Sequence, residues 1–187
     1  MKFRELLAKT QFIKKYTNRK PKIDLITEAI MVSNEGPLAG NLQPFQYIIV
    51  EDLESIAVLS QACRQAFIAK APYVIIVTSD ITQTKKLYGN RAEKYLKQNV
   101  GAAIQNFTLQ LAESGISSSL VAPFSDNTLR NKFDIPDDRE IEMVITVGEG
   151  MGNPKSMRRP ALMNKIFFGN FGNKWHRPAE KVSRKDI

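Results

Sequence analysis

The chain has 187 residues, 43% of them hydrophobic and 25% charged, a length and composition that suit one globular domain with its own core. One cysteine, Cys63, and one histidine, His176, exclude an internal disulfide and the usual zinc sites, and any nucleophile–histidine mechanism would depend on that single imidazole. The net charge of +8 is uneven: residues 1–22 and 150–187 each carry +7 and residues 23–149 carry −6, so two basic ends flank an acidic body.

The opening MKFRELLAKTQFIKKY interleaves charges with apolar residues and has no continuous apolar region or small-residue cleavage site, unlike a signal peptide. No apolar run approaches the ~18 residues of a membrane span, so the expectation is a cytoplasmic chain. Residues 3–10 fit a short helix with Phe3, Leu6, Leu7 and Thr10 on one face. Residues 24–33 fit a second, with Asp24 near its start and Ile26, Ala29 and Ile30 turned inward. FQYIIVE (45–51) and YVIIVTS (73–79) are β-branched and aromatic and read as strands, and 53–64 between them has helical spacing at Ile56, Leu59 and Cys63. The longest helix is expected over 91–114, with Leu96, Val100, Ala103, Phe107 and Leu111 on one side and Ile104 and Leu109 on another. That pattern predicts a central helix buried all round, stopping at Gly115. A strand at 118–122 follows, then a helix capped by Ser125, holding Leu129 and Phe133 and closed by Pro136, then a last strand at 141–148. Beyond 149 the pattern dissolves into a basic tail whose Phe167, Phe168, Phe171 and Trp175 suggest packing on another surface, such as a second subunit.

Two segments invite a functional reading. GEGMG (148–152) has the glycines of a dinucleotide fingerprint and follows a strand, but Asn153-Pro154 comes next where a phosphate-binding helix should start, so it reads as a loop. In EGPLAGNLQPFQYIIVED (35–52) a Gly/Pro/Asn loop leads into a buried strand. Its Asn41 and Gln43 amides can donate and accept at once, which suits the edge of a heterocycle and equally suits a turn that caps its own backbone.

The stretch PLAGNLQPF (37–45), a loop between a helix and an apolar strand, resembles the nitroreductase family of FMN-dependent oxidoreductases. The resemblance continues in order through AFIAKAPYVIIVTSD (66–80), YGNRAEKYLKQNVGAAIQNFTLQLAESGISSSLVAPF (88–124) and IEMVITVGEGMGNPKSMRRP (141–160), and so covers most of residues 12–160. It implies an α+β sandwich over residues 1–187, with a mostly antiparallel sheet between helices and an intertwined homodimer holding FMN at the subunit interface. The basic aromatic tail would then pack on the partner. It also implies ping-pong chemistry in which NADH or NADPH reduces FMN and a small acceptor, such as a quinone or nitroaromatic, takes the electrons.

Site residues implied by the resemblance match unevenly. The family's N-terminal phosphate segment corresponds to Thr10, Gln11, Phe12 and Lys14; the family's leading arginine and serine are absent and Lys14 is retained. Lys14 would lie beside the flavin N1–C2=O edge, where a cation stabilises the reduced ring. Lys155, Arg158 and Arg159 match the basic loop that would hold the phosphate. Asn41 and Gln43 match the loop at the pyrimidine end, and Gln65 a polar flavin contact. Ala122 and Pro123 match the segment that reaches N5 and O4; only Ala122 has an N–H to donate there. Phe124 fits the ring's edge or the core. No protein acid or base is required, because the flavin carries the redox step. No nucleic-acid or membrane partner is expected from this resemblance. The competing possibilities keep the fold: a relative that destroys flavin, removes halogen from a substrate or oxidises ring-containing peptides, or a degenerate member without redox activity that binds an anionic partner through its basic ends or serves only as a scaffold.

Overall fold

In the computed structural model, the described residues form six helices and four strands in the order α1 Phe3–Lys9, α2 Ile23–Ser33, β1 Phe45–Val50, α3 Leu53–Ala62, β2 Tyr73–Ser79, α4 Thr82–Tyr88, α5 Ala92–Glu113, β3 Ser117–Val121, α6 Asp126–Phe133 and β4 Glu140–Gly148. The structure describes residues 2–10, 13–152 and 162–174. The strands form one sheet in the order β1-β2-β4-β3, antiparallel at every pairing. β2 sits inside that sheet and is buried along its whole length, as its unbroken YVIIVTS requires.

Alternating side chains divide the core into two layers. Val74 and Ile76 of β2 and Val144 of β4 face α3 and α6, where Ile56, Leu59 and Leu129 are almost fully buried. Tyr73, Ile75 and Val77 face α2 and α5, packing on Ile26, Ala29, Val100, Ala103 and Phe107. Helices therefore cover both faces, as the α+β reading expected. A β-bulge shifts the β2–β4 register between Val77 and Thr78, opposite Met143 and Ile141. Beside it Glu142 accepts from Ser79 Oγ at 2.6 Å and pairs with Lys97 of α5 at 2.8 Å.

Two expectations need correction, one on α5 and one at the end of α6. The long helix α5 is not buried all round: Leu96, Val100, Ala103, Phe107 and Leu111 are buried, but Gln98, Gly101 and Gln105 are exposed and Ala102 and Leu109 only half-buried. Gly115, at φ +77°, still ends it. Helix α4 was not foreseen, because TQTKKLY carries no apolar stripe and buries only Thr84. Helix α1 forms where it was expected, and it buries no side chain, leaving Phe3 64% and Leu7 39% exposed. At the end of α6 the stop comes before Pro136, with Asp134 in the left-handed conformation and Ile135 N donating to Arg130 O.

The chain divides into two compact units, Met1–Ser156 and Met157–Ile187. In the second, a 3-10 turn at Leu162–Lys165 precedes a tight loop. There the Phe167 and Phe171 rings lie 4.7 Å apart and Asn173 Nδ2 donates to Phe168 O at 2.8 Å.

Candidate functional site

The segment 13–17 is laid antiparallel along residues 149–151. Thr17 N donates to Glu149 O and Met151 N to Lys15 O, both at 2.8 Å, with Tyr16 bridged to Gly150. Ile13 and Tyr16 turn into the core, and the Tyr16 hydroxyl shares a hydrogen bond of 2.6 Å with Thr146 Oγ1. Two glycines make this approach possible. A Cβ on Gly148 would stand 2.6 Å from Pro72 Cδ and 2.9 Å from Tyr16 Cδ1, and one on Gly150 would collide with Ser117 Oγ and with Ile13 Cδ1 at 2.8 Å. The GEGMG glycines thus admit a neighbouring chain segment; within the described part, 149–152 is a loop with no helix, as the sequence reading held.

Docking this segment opens a cleft of about 490 Å³ lined by Lys14, Lys15, Tyr16, Ala66, Phe67, Lys70 and Met151. Its far wall is a 3-10 turn, Ala66–Lys70, tied down by the fully buried Ile68. In such a turn side chains three apart eclipse, which puts Phe67 and Lys70 on one face. The Lys14 ammonium lies 5.0 Å from the centre of the Phe67 ring. Among the described residues, none of the three lysines has an ion-pair partner. The volume is that of a small-ligand site, and the lining is cationic and partly aromatic, which selects an anionic, ring-bearing ligand.

Of the residues singled out from the sequence, Lys14 lines this cleft and Gln65 adjoins it, half-buried, its backbone starting the Phe67 turn. Thr10 ends α1, its hydroxyl donating to Leu7 O at 2.9 Å. Ala122 and Pro123 are exposed at the end of β3, joined by a cis peptide bond, while Phe124 packs on the core layer that also holds Ile13 and Phe67. Asn41 and Gln43 are exposed in a loop that belongs to the opposite layer, so a single chain does not bring them to the Lys14 cleft. Gln11, Phe12, Lys155, Arg158 and Arg159, like Trp175, lie outside the described residues.

Sequence reasoning missed what holds the Asn41 loop. Asn99, 2% exposed on α5, accepts from Ala39 N at 2.7 Å and donates to Ala39 O at 3.1 Å and Leu42 O at 3.3 Å. Two turns on, Asn106 Nδ2 donates to Glu35 O at 2.6 Å. A polar residue inside the apolar stripe of α5 was the available signal. Lys15, Phe67, Lys70 and Met151 were also missed, and nothing in their local pattern marks them. Among the described residues there is no cluster able to hold a metal ion and no helix long and apolar enough to cross a membrane.

Comparison with known proteins agrees with this architecture. The model of the nitroreductase family matches residues 54–149. An iodotyrosine deiodinase of Thermotoga neapolitana is 21% identical over 170 residues, covering 77% of this chain and 86% of the relative. A nitroreductase family protein of Clostridium difficile superposes with a TM-score of 0.77 at 26% identity, covering 91% of this chain and 99% of the other. An FMN-dependent nitroreductase of the same species superposes with a TM-score of 0.74 at 21% identity, covering 89% and 98%. The antiparallel sheet covered by helices on both faces is the fold of these structures, and the chain belongs to the nitroreductase family.

Proposed function

We propose that this chain is an FMN-dependent oxidoreductase that takes electrons from NADH or NADPH and passes them to a small acceptor such as a quinone or a nitroaromatic. The observation that carries this reading is the cleft of Lys14, Lys15, Phe67 and Lys70, cationic on two walls and without a neutralising carboxylate among the described residues. A ligand bearing a phosphate and a flat ring fits that donor set: lysines suit the anion, and Ala66 and Met151 give the ring apolar surface. When bound, a flavin would supply the redox chemistry that links a nicotinamide donor to the second substrate.

The protein's part is to bind, orient and polarise. Lys14 would place a positive charge beside the ring and so favour its more negative form. Thr10, Gln11 and Phe12 would border the phosphate, and Lys155, Arg158 and Arg159 would neutralise it, with Arg forks matching phosphate oxygens. The Ala122 N–H would donate near N5, Pro123 having none to give. Gln65 would meet the ring from the start of the Phe67 turn. Asn41 and Gln43 would reach the ring from the second subunit of a homodimer, because their loop lies across the sheet from the cleft of its own chain. The basic aromatic tail would pack on that same partner.

The visible spectrum of the purified protein, with mass identification of what denaturation releases, tests the reading. An equimolar yield of FMN that is bleached by a nicotinamide dinucleotide is the expected result. A colourless chain that takes up no added FMN overturns it.

A further inference from the structure

We propose that Phe67 is a positioning residue that holds the Lys14 ammonium in the cleft while leaving its charge unneutralised. This inference rests on the flavin reading of the same cleft. A lysine can be fixed by a carboxylate or by an aromatic face. A carboxylate cancels most of the field the lysine would present to a ligand, whereas a ring holds the cation by its quadrupole and adds no net charge. Both arrangements occur in this fold. Lys20 lies 4.7 Å from the Tyr73 ring centre and is also paired with Glu51 at 2.8 Å. Lys14 has the Phe67 ring at 5.0 Å and, among the described residues, no carboxylate.

Phe67 is well supported for this task. It is half-buried, packs on the core layer of Ile13 and Ile68, and belongs to a 3-10 turn anchored by Ile68. Ile13, the neighbour of Lys14, is buried in the same layer, so ring and ammonium are registered against one core. Lys15 and Lys70 line the same cleft and repel Lys14. Without the ring, that repulsion and the entropy of a four-carbon side chain would spread its ammonium away from the ligand. With it, the charge stays where it favours the reduced over the oxidised cofactor.

The test is the reduction potential of bound FMN, measured by spectroelectrochemistry in the wild type, Phe67→Leu, Lys14→Ala and the double variant. Phe67→Leu is expected to shift the potential in the same negative direction as Lys14→Ala, through an about two- to five-fold loss of preference for the reduced cofactor, the size of an exposed cation–π contact. Phe67→Tyr restores the wild-type value, and in the Lys14→Ala background Phe67→Leu adds nothing. A merely structural phenylalanine would change stability and leave the potential alone. Should Phe67→Leu not fold, Phe67→Met keeps the packing volume and serves in its place. An unchanged potential, or a shift that persists without Lys14, overturns the positioning role while the flavin reading stands. A wild-type chain that binds no FMN overturns both.

Discussion

Tyr16 shows how one side chain fixes the segment that walls the cleft. Its ring is buried and its hydroxyl meets Thr146, which in turn donates to Ser119 O at 3.3 Å. Burial, opposed by the Thr146 hydrogen bond, pushes its pKa from 10.0 up to about 12. Because the folded value lies above the unfolded one, the stabilisation is whole below pH 10 and is lost as pH rises through about 12. Burial raises Tyr47 in the same direction. Tyr16→Phe is expected to lower stability by about 0.5–1.5 kcal/mol at neutral pH and to flatten the loss of stability above pH 10. Urea unfolding at neutral pH and in steps above pH 10 measures both effects, and an unaltered alkaline slope would assign the slope to other tyrosines. Nothing in KKYTNRK marks this residue as an anchor; its partner stands 130 positions away.

At the scale of elements, the loop 35–43 has little regular structure of its own and takes positive φ at Gly36, Gly40 and Asn41. At Gly40 this freedom is coupled to tight packing, since a Cβ would come within 2.6 Å of Leu87 Cδ2 on α4. The loop's shape is imposed by α5 through Asn99 and Asn106. Asn99→Ala would remove the hydrogen bonds of the half-buried backbone groups at Ala39 and Leu42, at a cost of about 0.5–1.5 kcal/mol. Hydrogen exchange of loop amides is expected to speed up in that variant while exchange in β2 is unchanged at temperatures well below unfolding. Equal protection of the loop in both proteins would show that α4 alone holds it. The strands and α2, α3, α5 and α6 were legible because each repeats an apolar pattern over several residues. Helix α4 was not, because a seven-residue segment with one buried side chain has almost no pattern to repeat.

At the scale of the molecule, the sheet separates two layers, and the proposed flavin contacts fall on both. Lys14 and Phe67 belong to one side and the Asn41 loop to the other, which a single chain cannot reconcile into one site. A symmetric dimer would do so by offering each cleft the partner's loop. The half-buried Ala102 and Leu109 of α5 and the exposed Phe3 and Leu7 of α1, which lies against α5, are apolar surface that such an association would cover. Sedimentation equilibrium is expected to give the mass of two chains, and a stable monomer would remove Asn41 and Gln43 from the flavin reading.

Local order was written in the sequence: VIIV demanded a buried strand, Leu96 to Leu111 a packed helix, and Gly115 its end. These follow from periodicity, which any stretch of chain carries by itself. The residues of the cleft were another matter. Lys14, Phe67, Lys70 and Met151 are spread over more than 130 positions and meet only because residues 149–151 accept the segment 13–17 beside them. Likewise the open face of α5 and the clamp at Asn99 depend on which neighbours the fold supplies. Pattern along a chain reports which faces must leave water; only the packed structure decides which distant side chains those faces bring together.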